Sequence, residues 1–244
     1  MNDLKAKLPE KAISIVLPAY NEALRIEKCV RQVEHAVCAL SSSYEIIVAE
    51  DGSTDGTSCI LAKLSKNNHS LRFLHSPIRL GKGKAIKNAF HSVKGDVIVF
   101  MDADLPANLK NLSRIVQIAK EQRGLVIGSR HVKSSRVQRS FTRTASSLAY
   151  NLFARALFLD GVRDHQCGFK AMSREVAQVV RDKVKSNGFF FDTEMILRCK
   201  RLGFPVVEVG VEWSETKKKN ESGVRLFRDA AKIGIELLRF RLNI

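Results

Sequence analysis

Two segments of the chain, IIVAEDGS at residues 46–53 and VIVFMDAD at residues 97–104, share one pattern. Each is an apolar run that ends in carboxylates. Continuous apolar runs of this length, bounded by turn residues and separated by helix-like stretches, are typical of strands in a parallel sheet that is covered on both faces. Because ligands of open α/β sheets bind beyond the carboxyl ends of the strands, both acidic clusters are predicted at a binding edge.

The carboxylates at these strand ends have two interpretations. An aspartate at such an edge can accept hydrogen bonds from a ribose or a base, and the pair Asp102 and Asp104 can hold a divalent cation against a diphosphate. Aspartate also starts turns and caps helices, and for any one of Asp51, Asp102 and Asp104 this structural alternative stays open. Taken together, the three residues outline a sugar-nucleotide site.

Further motifs surround the acidic clusters. Residues 13–22, ISIVLPAYNE, end a predicted strand in a Pro-x-Tyr-Asn-Glu turn, RLGKGKA follows at 79–85, and VIGSR lies at 126–130. In this order and spacing the set resembles the family 2 glycosyltransferases, whose nucleotide-binding half is a Rossmann-like GT-A fold, over nearly the whole chain. The nucleotide-binding residues that the resemblance implies are Pro18, Tyr20, Glu22, Asp51, Lys82 and Asp102.

The turn at residues 81–84, GKGK, is neither a P-loop nor a Rossmann glycine fingerprint, because it lacks both spacings. It can still offer backbone N–H groups and a lysine at a helix N-terminus, which suits a diphosphate or a base. A solvated basic helix start is the alternative. Asp102 and Asp104 supply the hard oxygens that Mg²⁺ or Mn²⁺ prefers, and the metal would neutralise the departing diphosphate.

Motifs in the second half indicate the acceptor. Residues 164–170 (DHQCGFK), 191–194 (FDTE) and 211–215 (VEWSE) closely resemble the dolichyl-phosphate glucosyltransferases, and the related mannosyltransferases share this layout with looser agreement. The resemblance implies that Arg130, Arg143 and Ser147 hold the lipid phosphate, although each alone could be a solvated surface residue. The catalytic residues that it implies are Asp102, Asp104 and Arg130.

The predicted reaction is an inverting transfer of one hexose from a nucleotide sugar to dolichyl or polyprenyl phosphate. Glucose from UDP-glucose is favoured, and mannose from GDP-mannose is the alternative. The mannosyl enzymes usually have Asp-Ala-Asp-x-Gln, whereas Pro106 stands here in place of the glutamine, so metal coordination would rely on Asp104, the diphosphate and water. A phosphate monoester is already an anionic nucleophile near neutrality, so little help from a general base is needed. A processive synthase is disfavoured because a Gln-x-x-Arg-Trp motif is missing.

The formal net charge of +16 is unevenly distributed along the chain. Residues 56–95 and 122–159 contain no Asp or Glu. Such basic segments attract an anionic partner, which can be a nucleic acid, an anionic membrane or a phosphorylated substrate. Nucleic-acid binding is the weaker alternative, since the segments lack interleaved aromatic residues and known nucleic-acid motifs, and no nucleic-acid partner is predicted.

Two amphipathic segments, 145–159 and 225–240, favour contact with a membrane surface, although packing on the sheet is the more common role of such helices. The N-terminal residues include no apolar segment of a signal peptide. No apolar stretch reaches the roughly 20 residues that span a bilayer. These features predict a peripheral protein at the cytoplasmic face of a membrane. The five cysteines are predicted to be reduced thiols.

The predicted fold is an α/β, doubly wound parallel sheet. A GT-A domain is expected at residues 1–213, with a nucleotide-sugar half at about 1–130 and an acceptor half at about 131–213, and a basic linker with an amphipathic helical tail at 214–244. The predicted strands are 12–18, 44–49, 71–75, 96–102, 125–129 and 205–211. The predicted helices are 22–40, 55–66, 82–93, 108–121, 143–159, 173–182 and 192–202.

Overall fold

The computed structural model describes residues 11–214 and 226–242. The strands are β1 (Lys11–Ala19), β2 (Tyr44–Asp51), β3 (Leu71–Ser76), β4 (Gly95–Met101), β5 (Leu125–Ser129), β6 (Arg136–Gln138), β7 (Phe169–Ser173), β8 (Val206–Gly210) and β9 (Glu212–Ser214). The helices are α1 (Ile26–Cys38), α2 (Thr57–Lys66), α3 (Lys82–Phe90), α4 (Leu112–Gln122), α5 (Phe141–Phe158), α6 (Arg174–Lys183), α7 (Phe191–Arg201) and α8 (Leu226–Leu242), with a short 3₁₀ turn at Leu109–Asn111.

Seven strands form the central sheet, in the order β3-β2-β1-β4-β7-β5-β8. β1 pairs in parallel with β2 and β4, and β2 pairs in parallel with β3. The apolar runs of β1, β2 and β4 are buried, because helices cover both faces of the sheet. The alternation of strands and helices up to residue 129 agrees with the sequence prediction. The first helix begins at Ile26 rather than at residue 22, because residues 22–25 form a turn.

One strand departs from the predicted parallel arrangement of the sheet. β7 lies between β4 and β5 and runs antiparallel to both. Its sequence, FKAMS, is not among the predicted strands, because a lysine at the second position interrupts the apolar run. The side chain of Lys170 is nevertheless fully buried, because its ammonium group is paired inside the protein. The short parallel pair of β6 and β9 was not predicted either.

A second, smaller apolar cluster joins α5, α7 and α8. Ala154, Phe190 and Leu237 are buried in it, and the ring of Phe240 lies 6.0 Å from the ring of Phe158 and 5.8 Å from that of Phe190. Of the predicted linker and helical tail at 214–244, residues 215–225, 243 and 244 lie outside the described residues. Among the residues that the structure describes, no helix combines the length and the apolar character needed to cross a membrane. All five cysteines are free thiols.

Candidate active site

The turns after β1 and β2 are tied together at the carboxyl edge of the sheet. Asn21, in a left-handed conformation with φ of 55°, donates its backbone N–H to Ser53 Oγ at 3.0 Å and accepts a bond from the Thr54 N–H at 2.9 Å. The neighbouring Glu22 is buried, and its backbone N–H donates to Thr57 Oγ1 at 2.9 Å. Asparagine tolerates the left-handed conformation, and these cross-links to the turn after β2 fix it.

Besides Glu22, three predicted nucleotide-binding residues lie on or next to these turns. Pro18 is in the last part of β1, and the ring of Tyr20 lies 3.9 Å from the guanidinium carbon of Arg79. Asp51, the last residue of β2, accepts bonds from the backbone N–H groups of Leu80 at 2.7 Å and Gly81 at 3.0 Å. Burial raises the pKa of Asp51, although these two N–H groups partly oppose the shift. The structure therefore brings the RLGKGKA segment to the end of β2.

Four charged side chains meet beside the end of β4, and we call Lys82, Asp102, Lys170 and Asp192 the central charge cluster. Lys82, the first residue of α3, places its Nζ 3.0 Å from Asp102 Oδ1 and 3.1 Å from Asp192 Oδ2. The other oxygen of Asp192 lies 2.5 Å from Lys170 Nζ, which also donates to the carbonyl oxygen of Cys167 at 2.6 Å. The cluster is thus a chain of alternating charges that begins at Asp102 and ends at Lys170.

The electrostatic effects within the central charge cluster keep Lys82 and Asp192 ionised. Burial would favour neutral Lys82, but the adjacent Asp102 and Asp192 carboxylates outweigh burial and raise the pKa of Lys82. Burial would likewise favour neutral Asp192, yet the ammonium groups of Lys170 and Lys82 lower its pKa. Two carboxylates and two ammonium groups balance in formal charge, which is the condition under which buried charges are tolerated.

Gly168 explains how Asp102 fits at this position. A Cβ at Gly168 would lie 1.8 Å from Asp102 Oδ2, so only glycine leaves room for the carboxylate. The carbonyl oxygen of Gly168 also accepts the Asp102 backbone N–H at 2.9 Å. The Asp102 side chain remains 30% exposed, so a ligand from solvent can reach it.

The residues present fit a divalent cation. Asp102 and Asp104 follow β4 with one residue between them, and both are partly exposed. Within residues 11–214 and 226–242, no three acidic, histidine or cysteine side chains converge into a complete metal cage. Mg²⁺ is commonly held by one or two carboxylates together with substrate phosphates, so two aspartates at an open strand end are an adequate donor set. Pro106 offers no side-chain ligand, and its carbonyl oxygen accepts the Ser214 N–H at 2.8 Å.

Arg130 is buried and paired with an aspartate that sequence reasoning did not assign. Its Nε and a terminal nitrogen donate to the two oxygens of Asp164 at 2.7 and 2.8 Å, and its backbone N–H donates to the same carboxylate at 2.9 Å. The guanidinium carbon lies 5.0 Å from the centroid of the Trp213 ring. Burial would raise the pKa of Asp164, but Arg130 holds it well below the usual range. The charge of Arg130 is therefore already balanced within the protein.

The two remaining acceptor candidates lie on α5. Arg143 and Ser147 are four positions apart and so lie on the same side of the helix. Ser147 Oγ is 3.1 Å from Nε2 of His131, the residue after Arg130, which links α5 to the end of β5. Burial lowers the pKa of His131, so the imidazole is mainly neutral near neutral pH. His131 was not among the predicted site residues, and its only signal in the sequence is its place beside Arg130.

A polar contact also connects α5 with the central charge cluster. The hydroxyl groups of Tyr150 and Thr193 lie 2.7 Å apart, and Gln166 Nε2 donates to Thr193 Oγ1 at 2.7 Å. Because Thr193 follows Asp192, this contact joins the helix of the acceptor candidates to the helix that supplies Asp192.

This combination of fold and site defines a class of transferase. Residues 14–181 match the model of glycosyl transferase family 2, and the chain belongs to that family. It is 39% identical over 230 residues to the glycosyltransferase AglD of Haloferax volcanii, an alignment that covers 93% of this chain. The chain spans only 36% of the length of that relative. It is 31% identical to the dolichyl-phosphate beta-glucosyltransferase of Mus musculus, covering 96% of this chain and 76% of the relative.

A solved structure supports the fold. Glucosyl-3-phosphoglycerate synthase from Mycobacterium tuberculosis, in complex with Mn²⁺, UDP and glucosyl-3-phosphoglycerate, superimposes with a TM-score of 0.68 at 23% identity. The match covers 96% of this chain and 81% of the synthase. The predicted α/β fold of the GT-A type is confirmed.

Proposed function

We propose that the protein transfers one glucose from UDP-glucose to dolichyl or polyprenyl phosphate, with inversion and with the help of Mg²⁺ or Mn²⁺. The observation that carries the proposal is the link between two parts of the site. Asp102 directly follows β4 and belongs to the central charge cluster, and the hydroxyl of Tyr150 on α5 is hydrogen-bonded to that of Thr193, the residue after Asp192. A carboxylate centre for the nucleotide thus lies beside the helix that bears Arg143 and Ser147.

The first half of the chain, about residues 1–130, binds the donor in this proposal. Tyr20 and Asp51, with Pro18 and Glu22 nearby, receive the nucleoside. Asp102 and Asp104 hold the divalent cation, which neutralises the charge of the departing nucleotide diphosphate. This assignment is supported by the position of all these residues on the carboxyl edge of one sheet, where ligands of α/β folds bind.

The acceptor half, about residues 131–213, orients the lipid phosphate. Arg143 pairs with the phosphate, and Ser147, whose hydroxyl is held by His131, donates to it. Arg130 contributes mainly by fixing the end of β5, because Asp164 already pairs with its guanidinium group. The acceptor is already anionic, so positioning and electrostatic stabilisation supply most of the rate in this proposal.

The choice of donor is tested directly by a transfer assay. With a polyprenyl phosphate acceptor and Mn²⁺, we expect UDP-glucose to give a kcat/KM at least about tenfold above that of GDP-mannose, a difference of roughly 1.4 kcal/mol in transition-state binding. Similarity to a dolichyl-phosphate beta-glucosyltransferase supports this order. A higher value with GDP-mannose would instead select the mannosyltransferase alternative, and transfer to a free sugar without a lipid phosphate would contradict the proposed acceptor.

A membrane surface is the proposed location of the reaction, at the cytoplasmic face. α5 and α8 pack together through Ala154 and Leu237, and they leave exposed leucines on their outer sides, among them Leu148, Leu152 and Leu238. The basic segment at 122–159, which contains no Asp or Glu, includes α5, so apolar and basic side chains occur together on this helix. This combination suits the interface of an anionic membrane, with residues 214–244 as a basic, membrane-directed tail.

Binding to vesicles tests this surface. The protein is expected to co-sediment with vesicles that contain anionic lipid, and to dissociate progressively as salt is raised. Leu152→Glu should reduce partitioning by about tenfold or more, because burial of a leucine contributes roughly 1.5–3 kcal/mol. Leu40→Glu, at an exposed leucine beyond the end of α1, is the matched control and should bind like wild type. Equal binding by both variants would exclude α5 as the docking surface.

A further inference from the structure

The ammonium group of Lys82 lies beside a carboxylate proposed to bind the metal. Its Nζ is 3.0 Å from Asp102 Oδ1, which is a hydrogen-bonded ion pair. The same nitrogen is 3.1 Å from Asp192 Oδ2. Lys82 is thus a cation of the protein itself, held between the two carboxylates.

We propose that Lys82 is the resident cation of Asp102, and that it prevents a divalent ion from binding until the nucleotide diphosphate arrives. The inference rests on the proposed function, since it assigns Asp102 to the metal and the diphosphate to the same site. The inference adds that the metal and the nucleotide bind together. It also gives Lys82 two roles, since this lysine blocks Asp102 before the nucleotide binds and contacts the diphosphate afterwards.

Coulomb repulsion is the physical reason. A divalent ion at Asp102 would lie close to the ammonium group of Lys82, and like charges at such distances repel by several kcal/mol at the intermediate dielectric of a partly buried site. Hydrogen-bonded ion pairs to both Asp102 and Asp192 hold the ammonium group at this position. A diphosphate removes the conflict, since its negative charge attracts both cations.

Asp192 gives Lys82 an anchor that is independent of the metal site. One oxygen of Asp192 contacts Lys82, and the other is 2.5 Å from Lys170, whose ammonium group is fully buried. Lys82 can therefore release Asp102 without losing its second carboxylate partner. It then stays within reach of the diphosphate, so Lys170 and Asp192 act as positioning residues for Lys82.

The test is a titration with Mn²⁺, followed by the electron paramagnetic resonance signal of the free ion, with and without saturating UDP. For wild type we expect Mn²⁺ to bind at least about tenfold more weakly alone than with UDP. Lys82→Met should bind Mn²⁺ alone about tenfold more tightly than wild type, and should bind UDP more weakly. These opposite changes follow from the two roles of the same charge.

Two further variants serve as controls. Lys84→Met removes an equal charge from an exposed position of the same helix and should bind Mn²⁺ like wild type. Lys82→Arg keeps the charge and should keep the weak binding of Mn²⁺ alone.

The proposal is overturned if wild type binds Mn²⁺ equally well with and without UDP, or if Lys82→Met does not bind free Mn²⁺ more tightly. Either result leaves the proposed function intact, provided that UDP-glucose is still used. Failure of the proposed function would instead appear as absence of UDP binding and of glucosyl transfer in wild type.

Discussion

Asp104→Asn is expected to reduce glucosyl transfer by at least about 100-fold while the free energy of unfolding changes little. The substitution keeps the shape of the side chain but removes the charge of one of the two carboxylates that we propose to hold the cation. Asp104 lies in the partly exposed loop after β4, away from the buried strand itself. The measurement is kcat/KM with UDP-glucose at saturating Mn²⁺, together with thermal unfolding of the same preparation.

Asp102→Asn should be comparably damaging to transfer, and it also weakens the pair with Lys82. Asp96→Asn is the matched control, because Asp96 lies near the start of β4, is largely exposed and pairs only peripherally with Arg174 at 3.2 Å. It should transfer glucose like wild type. Normal turnover by Asp104→Asn, or full activity of wild type after removal of divalent ions by a chelator, would contradict the proposed metal role.

Arg143→Ala is expected to raise the KM for polyprenyl phosphate by about ten- to a hundredfold and to leave the affinity for UDP nearly unchanged. A charge-assisted pair with the acceptor phosphate, worth roughly 1.5–3 kcal/mol, is lost only on the acceptor side. Arg143→Lys should recover only part of the loss, since a point charge replaces a planar fork. Steady-state kinetics with each substrate varied in turn separates the two effects.

Arg155→Ala is the control for this prediction. Arg155 lies in the last turn of the same helix and is exposed. Its replacement removes an equal charge from α5 but leaves the part of the helix that carries Arg143 and Ser147 unchanged. Vesicle binding should persist in both variants, because other basic residues still meet the anionic lipid. An equal loss of UDP affinity and acceptor use in Arg143→Ala would count against an acceptor role.

The sequence predicts the first half of the fold well, because each strand there is marked by an apolar pattern within its own residues. β1, β2 and β4 are apolar runs flanked by turn residues, and burial on both faces leaves few other structures for such runs. β7 is not predicted from the sequence, because Lys170 interrupts its apolar pattern. What makes a strand possible there is the carboxylate of Asp192, 22 positions further along the chain.

The site could be predicted only in part, for a similar reason. Motifs indicated Asp51, Asp102 and Arg130 at strand ends, and the structure places them there. Their partners come from far along the chain: Lys82 and Asp192 are 110 positions apart, and Arg130 and Asp164 are 34 positions apart. No local pattern encodes such pairs, so the sequence did not reveal that Arg130 is already paired or that Lys82 contacts Asp102.

The insertion of β7 also constrains how the chain can fold as it is synthesised. β5 pairs only with β7 and β8 within the described sheet, and both strands come later in the sequence. In a nascent chain that ends at Arg130, the apolar segment Leu125–Ser129 therefore has neither of its two partner strands to pair with. The central sheet can be completed only after β8, which ends at Gly210, has been synthesised. Strand pairing over such long sequence distances is slow, because the entropy of closing the loop is lost before the strands make stabilising contacts. A fragment of residues 1–130 is accordingly expected to aggregate rather than to form an autonomous nucleotide-binding unit.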